Sequence, residues 1–85
     1  MELNMLMTFD STHHALRAEQ ILKENQHRHL LIPTPREITA SCGLAIRVDP
    51  TNGAAIRQQL EQHGVEVSGL YQWSGMAWER RQTNH

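Results

Sequence analysis

Ile32-Pro33-Thr34-Pro35-Arg36-Glu37-Ile38-Thr39-Ala40-Ser41-Cys42-Gly43-Leu44 is the stretch whose reading decides how this chain folds. It carries the only cysteine and two of the three prolines. Pro33 and Pro35 lock their own φ angles and push the residues before them towards extended geometry, so the segment reads as a stiff crossover. The chain on each side of it reads as strand and helix. The crossover therefore joins two similar halves and delivers one thiol to the start of a strand.

Upstream, Leu3, Met5, Met7 and Phe9 alternate with Glu2, Asn4, Leu6 and Thr8, the period of a strand with one better-buried face. Asp10-Ser11-Thr12 supplies three residues able to cap a helix, and the run to about Gln26 has neither glycine nor proline. At 100° per residue, Ala15, Ala18, Ile21 and Leu22 share one stripe with His14 at its border, while Leu16 falls off it. Arg28 to Ile32 is the second strand, stopped at Pro33.

Downstream, the period of two returns with Cys42, Leu44, Ile46 and Val48 on one side and Gly43, Ala45 and Arg47 on the other. Asp49-Pro50 is a cap followed by proline at the first helical position, and Gly64 is placed as the left-handed terminator after His63. Val65, Val67, Tyr71 and Trp73 form the fourth strand, interrupted by Gly69. From Ser74 the chain turns polar and its last six residues read as unstructured, with Met76 and Trp78 the two features that argue otherwise.

The expected order is β-α-β-β-α-β, a ferredoxin-like α+β domain with a four-stranded antiparallel sheet and two helices on one face. Residues 1–73 would form this single domain and residues 74–85 a flexible polar tail. An open sheet of another strand order is the alternative. In the ferredoxin-like order strands one and three are central and antiparallel. Cys42 then lies at the same sheet edge as the end of strand one, the helix start at Ser11-Thr12 and the helix end at His63.

With 85 residues there is room for one core and little more. A net charge of −1 draws in neither nucleic acid nor an anionic membrane, and Arg80-Arg81 is too short a basic run to change that. The apolar runs fall far short of the roughly 18–20 residues that cross a bilayer. Met1 to Met7 has no basic leader and does not read as a signal peptide. One cysteine makes no internal disulfide, which points to a cytoplasmic protein.

A free thiol with a pKa of about 8.5 is only a few per cent ionised at neutral pH. A helix N-terminus contributes about 0.3–1 kcal/mol at exposed sites, less than one pKa unit. Backbone N–H donors or Arg36 folding back would supply the rest, and a modestly depressed thiol pKa is the expectation. In Ser41-Cys42-Gly43 no bulky neighbour screens the sulfur. The bland reading is that cysteine is often a small buried hydrophobe.

Six histidines raise the question of a metal. Neighbouring His13 and His14 diverge by about 100° on a helix, and no histidine pair has i, i+4 spacing. A site from Cys42, His14 and His63 is geometrically conceivable, but no metal is the expectation. His27 and His29 read as surface residues near a helix end. Without a phosphate loop, a Ser-His-Asp pattern or a motif of paired carboxylates, a stand-alone enzyme is not indicated.

Phe9-Asp10-Ser11-Thr12-His13-His14-Ala15-Leu16-Arg17-Ala18-Glu19 resembles the F-x-S-T-H-x-A-L-x-A-E opening of the small bacterial selenium/sulfur carrier protein-like family. The likeness continues through Leu31-Ile32-Pro33-Thr34-Pro35-Arg36-Glu37-Ile38 and Ser41-Cys42-Gly43-Leu44-Ala45-Ile46-Arg47, and covers about residues 5 to 73. Thr39-Ala40 depart from the serines and threonines the family often has there. The resemblance implies a carrier that holds a persulfide or selenopersulfide on Cys42 and relays it between partner proteins. Ser11, Thr12 and Arg36 would stabilise the thiolate, Ser41 and Gly43 would leave it accessible, and no cofactor would be bound. The partners would be a cysteine desulfurase-type donor and a sulfur or selenium acceptor protein. A lone thiol suits this role, because a second one would discharge the persulfide into a disulfide.

The competing class is a non-catalytic interaction or small-ligand-binding module with an inert cysteine. Leu6, Ala45 and Leu70 on an uncovered sheet face would then support a homodimer. A redox-sensing thiol forming an intermolecular disulfide is a third reading.

Overall fold

The computed structural model describes residues 3–38 and 43–81. Strand β1 spans Met5–Thr8, helix α1 Thr12–Glu24, strand β2 His29–Pro33 and strand β3 Leu44–Val48. A 3-10 turn at Pro50–Asn52 leads into helix α2 at Gly53–Gln62, followed by strands β4 at Gly69–Trp73 and β5 at Trp78–Arg81. The sheet is antiparallel throughout, in the order β2-β3-β1-β4-β5. Its first four strands have the ferredoxin-like order, which removes the alternative of another open sheet. The fifth strand corrects the expectation of four. Residues 78–81 pair along β4, from Trp73 opposite Trp78 to Leu70 opposite Arg81, where a flexible tail from residue 74 was expected.

The helix boundaries follow from local chemistry. Ser11, the residue before α1, is extended at φ −148° and ψ 158°, and its hydroxyl accepts from the His14 amide at 3.2 Å. The carboxylate of Asp49 accepts from the Thr51 amide at 2.9 Å and starts the 3-10 turn, with Pro50 first in it. Both helices end in the same way. At the end of α2 the Val65 amide reaches back to the Leu60 carbonyl and the Gly64 amide to Glu61, with Gly64 at φ +78°. At the end of α1 the His27 amide reaches Leu22 and the Gln26 amide Lys23, but here Gln26 occupies the left-handed position at φ +59°.

The main core lies between the helices and one face of the sheet. Met7, Phe9 and Ile46 meet Ala18, Leu22, Ile56 and Leu60 there, with Val65 and Val67 closing one end. β1 is central and buried on both faces, because Leu6 on its other side is also fully enclosed. Leu6 joins Ala45, Tyr71 and Ile38 in a second, smaller cluster, against which Ile32 and Trp78 pack. The homodimer face expected from Leu6, Ala45 and Leu70 is therefore corrected. Leu6 and Ala45 are covered within the chain, and Leu70 packs with the helix-side core.

The parity of β4 explains the Leu70 error. Val65 and Val67 face the helix-side core, yet they precede the strand, which begins only at Gly69. The alternation they establish does not carry across that point. A Cβ at Gly69 would lie 2.7 Å from the Thr8 hydroxyl oxygen, so side chains of neighbouring residues occupy the space that a larger residue would need there.

Candidate functional site at the crossover

The structure describes four of the six predicted site residues. Ser41 and Cys42 lie outside the described residues. Ser11, Thr12, Arg36 and Gly43 lie within them.

The crossover is tied at its base. The Thr34 amide donates to the Gly43 carbonyl at 2.9 Å, extending the β2–β3 ladder one step beyond the Pro33–Leu44 pair. Inside that closure the Ile38 amide donates to the Pro35 carbonyl at 3.0 Å, the bond of a four-residue turn. Arg36 and Glu37 occupy the two central positions of the turn and are exposed, whereas Ile38 turns inward and is only 7% exposed. Ile38 belongs to the cluster on the sheet face away from the helices. The crossover is thus anchored on one side of the sheet and α1 starts on the other.

The ends of several elements do meet at one sheet edge. Thr8, the last residue of β1, pairs with Ala45 on one side and Gly69 on the other. The Ser68 amide donates to the Thr8 carbonyl at 2.9 Å, and the two hydroxyls lie 3.4 Å apart. Ser11 sits three residues past Thr8, but its hydroxyl is already engaged in capping α1 through the His14 amide. The Ala15 amide is bonded to the Ser11 carbonyl at 3.1 Å. No acidic side chain lies in the first turn of α1, so no carboxylate there offsets the positive end of the helix dipole. Gly43 is exposed, and a Cβ built on it would meet nothing within 4 Å. Among the described residues there is therefore open space at Gly43 and no steric demand for glycine at that position.

The histidines serve other ends. His27 Nε2 lies 2.9 Å from the Gln59 side-chain oxygen, linking the end of α1 to α2. His29 Nδ1 donates to the His27 carbonyl at 2.8 Å, and its Nε2 lies 3.4 Å from a Glu19 carboxylate oxygen. Both are half-buried, which corrects their reading as surface residues. His63 Nδ1 donates to the Gln59 carbonyl at 2.8 Å. Among the described residues no group of three or more histidine, cysteine or acidic side chains is placed to hold a metal ion.

Three contributors to this region, Thr8, Ser68 and Ile38, went unpredicted. Thr8 is only 2% exposed and paired with Ser68, and neither stands out in the sequence except as a small polar residue beside Phe9 or Gly69. Ile38 had a visible signal, as an apolar β-branched residue alone within Arg36-Glu37-Ile38-Thr39. Also, among the described residues no helix is long and apolar enough to cross a membrane.

Comparison with known proteins adds one finding. No curated protein and no solved structure gives a significant match. Residues 4–72 match the family model described as "Putative Se/S carrier protein-like", a span that contains β1 through most of β4, the whole crossover and the thiol, and stops short of β5. The chain belongs to that Se/S carrier protein-like family.

Proposed function

We propose that this protein is a sulfur or selenium carrier that holds a persulfide or selenopersulfide on Cys42 and relays it between partner proteins. The observation that carries the reading is membership of the carrier-like family in a chain with a single cysteine. The tied base of the crossover and the open space at Gly43 support it, since a relay thiol needs a defined position and an unobstructed approach. In this reading Ser41 and Gly43 flank the sulfur without bulk. Arg36 and the helix start at Ser11 and Thr12 favour its anionic form.

The transfer is redox-neutral. The Cys42 thiolate attacks the outer sulfur of a donor persulfide, a new S–S bond forms on Cys42, and the donor's own S–S bond breaks. The donor cysteine leaves as a thiolate, and the terminal S–H proton exchanges with solvent. Delivery is the same step in reverse order, with an acceptor thiolate attacking the outer sulfur held on Cys42. A cysteine desulfurase-type enzyme is the proposed donor, a sulfur- or selenium-requiring protein the acceptor, and the cytoplasm the location.

The test is intact mass after incubation with a cysteine desulfurase and cysteine. One added sulfur atom is expected, removable by a thiol reductant and missing in Cys42→Ala. Wild-type protein that gains no sulfur from a competent donor would overturn the proposal.

A further inference from the structure

The family match ends at residue 72, but the chain goes on to build β5, and Trp78 of β5 packs against the same apolar cluster as Ile38 of the crossover. Trp78 pairs with Trp73 and Arg80 with Tyr71, so both face away from the helices. Trp78 packs against the cluster of Leu6, Ala45, Tyr71 and Ile38, which is the cluster that anchors the crossover. Its ring is fixed from two further directions. Trp73 meets it edge-on at 5.2 Å between centroids, and the Arg47 guanidinium lies 5.5 Å from its centre. Arg47 is in turn held by its Nε donating to the Leu3 carbonyl at 3.0 Å. Among crossover residues 34–38, Ile38 alone belongs to the buried part of this cluster.

We propose that the C-terminal strand is a positioning element for the crossover, with Trp78 completing the cluster that holds Ile38 and so fixing the segment that leads to Cys42. Without Trp78, one side of a small cluster is open to water, and the cluster against which Ile38 packs loses part of its cover. Local opening is governed by this kind of sparse packing, and it occurs without global unfolding. Cys42 follows Ile38 by four residues, so release of Ile38 removes the last buried anchor among the described residues before the thiol. The proposal rests on the carrier reading only in treating presentation of Cys42 as the property that matters.

The test uses the full chain and two local readouts, hydrogen exchange at the Ile38 amide and the alkylation rate of Cys42 by iodoacetamide. Each is compared with global stability from urea melts of the same variant. Trp78→Ala is expected to speed both by about fivefold or more beyond the change its lowered stability accounts for. Arg81→Ala, on the same strand but bonded to Gln72 on the other face, should leave both rates unchanged. If Trp78→Ala fails to fold, the milder pair Ile38→Val and Trp78→Phe, singly and together, replaces it. Non-additive alkylation rates in that cycle support the coupling, and additive ones overturn it. Unchanged Ile38 exchange in a folded Trp78→Ala also overturns it. Neither readout involves sulfur transfer, so a protein that never accepts sulfur can still pass this test, and a working carrier can still fail it.

Discussion

The two faces of the sheet are built on different principles. Against the helices, residues drawn from both helices and four strands interlock into one core, with Phe9, Leu22, Ile46, Ile56 and Leu60 fully buried. Among the described residues, the buried apolar cluster on the opposite face is Leu6, Ala45, Tyr71 and Ile38, with Ile32 and Trp78 packed against it. Among the described residues no helix lies over it, and its cover comes from a turn in the crossover and from β5. The first face holds the fold together. The second holds the crossover in place, and it does so with few enough contacts that single residues should matter locally.

Substitutions can sharpen or break that contrast. The largest effect is expected for Phe9→Ala, which empties a fully buried position in the helix-side core and should lower global stability by about 3–5 kcal/mol, read from the urea midpoint. Ile38→Ala should cost less, about 2 kcal/mol at the low end for a buried isoleucine, with its main effect on crossover exchange rather than on the global midpoint. If its cost equals that of Phe9→Ala, the two faces are not energetically distinct. Trp73→Ala removes the edge-on partner of Trp78 and should cost about 1 kcal/mol, visible as a small midpoint shift and altered Trp78 fluorescence. Smallest is Gly43→Ala, where the new methyl group meets open space and stability should stay within about 0.5 kcal/mol of wild type. Slower alkylation of Cys42 in that stable variant would assign Gly43 a role in access alone.

The same contrast explains what could be read from the sequence. The helix-side core was legible because its residues obey simple periods: Ala15, Ala18, Ile21 and Leu22 along α1, and Leu44, Ile46 and Val48 along β3. Caps at Ser11 and Asp49 and the terminator at Gly64 were visible because each uses a residue type with one dominant local role. The second face had no such signature. Leu70 was assigned to the wrong side because the alternation from Val65 does not carry past Gly69. Trp78 was a lone aromatic in a polar stretch, and only pairing with β4 gives Glu79-Arg80-Arg81 a reason to be extended. Arg80 and Arg81 then part company. One stacks on Tyr71 and donates to its hydroxyl, while the other reaches Gln72 on the far side. Of the site, sequence reading located the helix start at Ser11, but it read the crossover as extended and did not foresee the turn that carries Arg36. It did not foresee that the Ser11 hydroxyl is engaged by His14, nor that Ile38 anchors the crossover.

The fifth strand has a further consequence for how copies of this protein meet in a crowded solution. It moves one border of the sheet outward from Leu70, Tyr71 and Trp73 to three consecutive charged residues, Glu79, Arg80 and Arg81. At the opposite border β2 ends in Pro33, which has no amide hydrogen to offer an incoming strand. Both margins are thus poor templates for strand addition, and the protein can carry a narrow open sheet without recruiting its neighbours into fibrils.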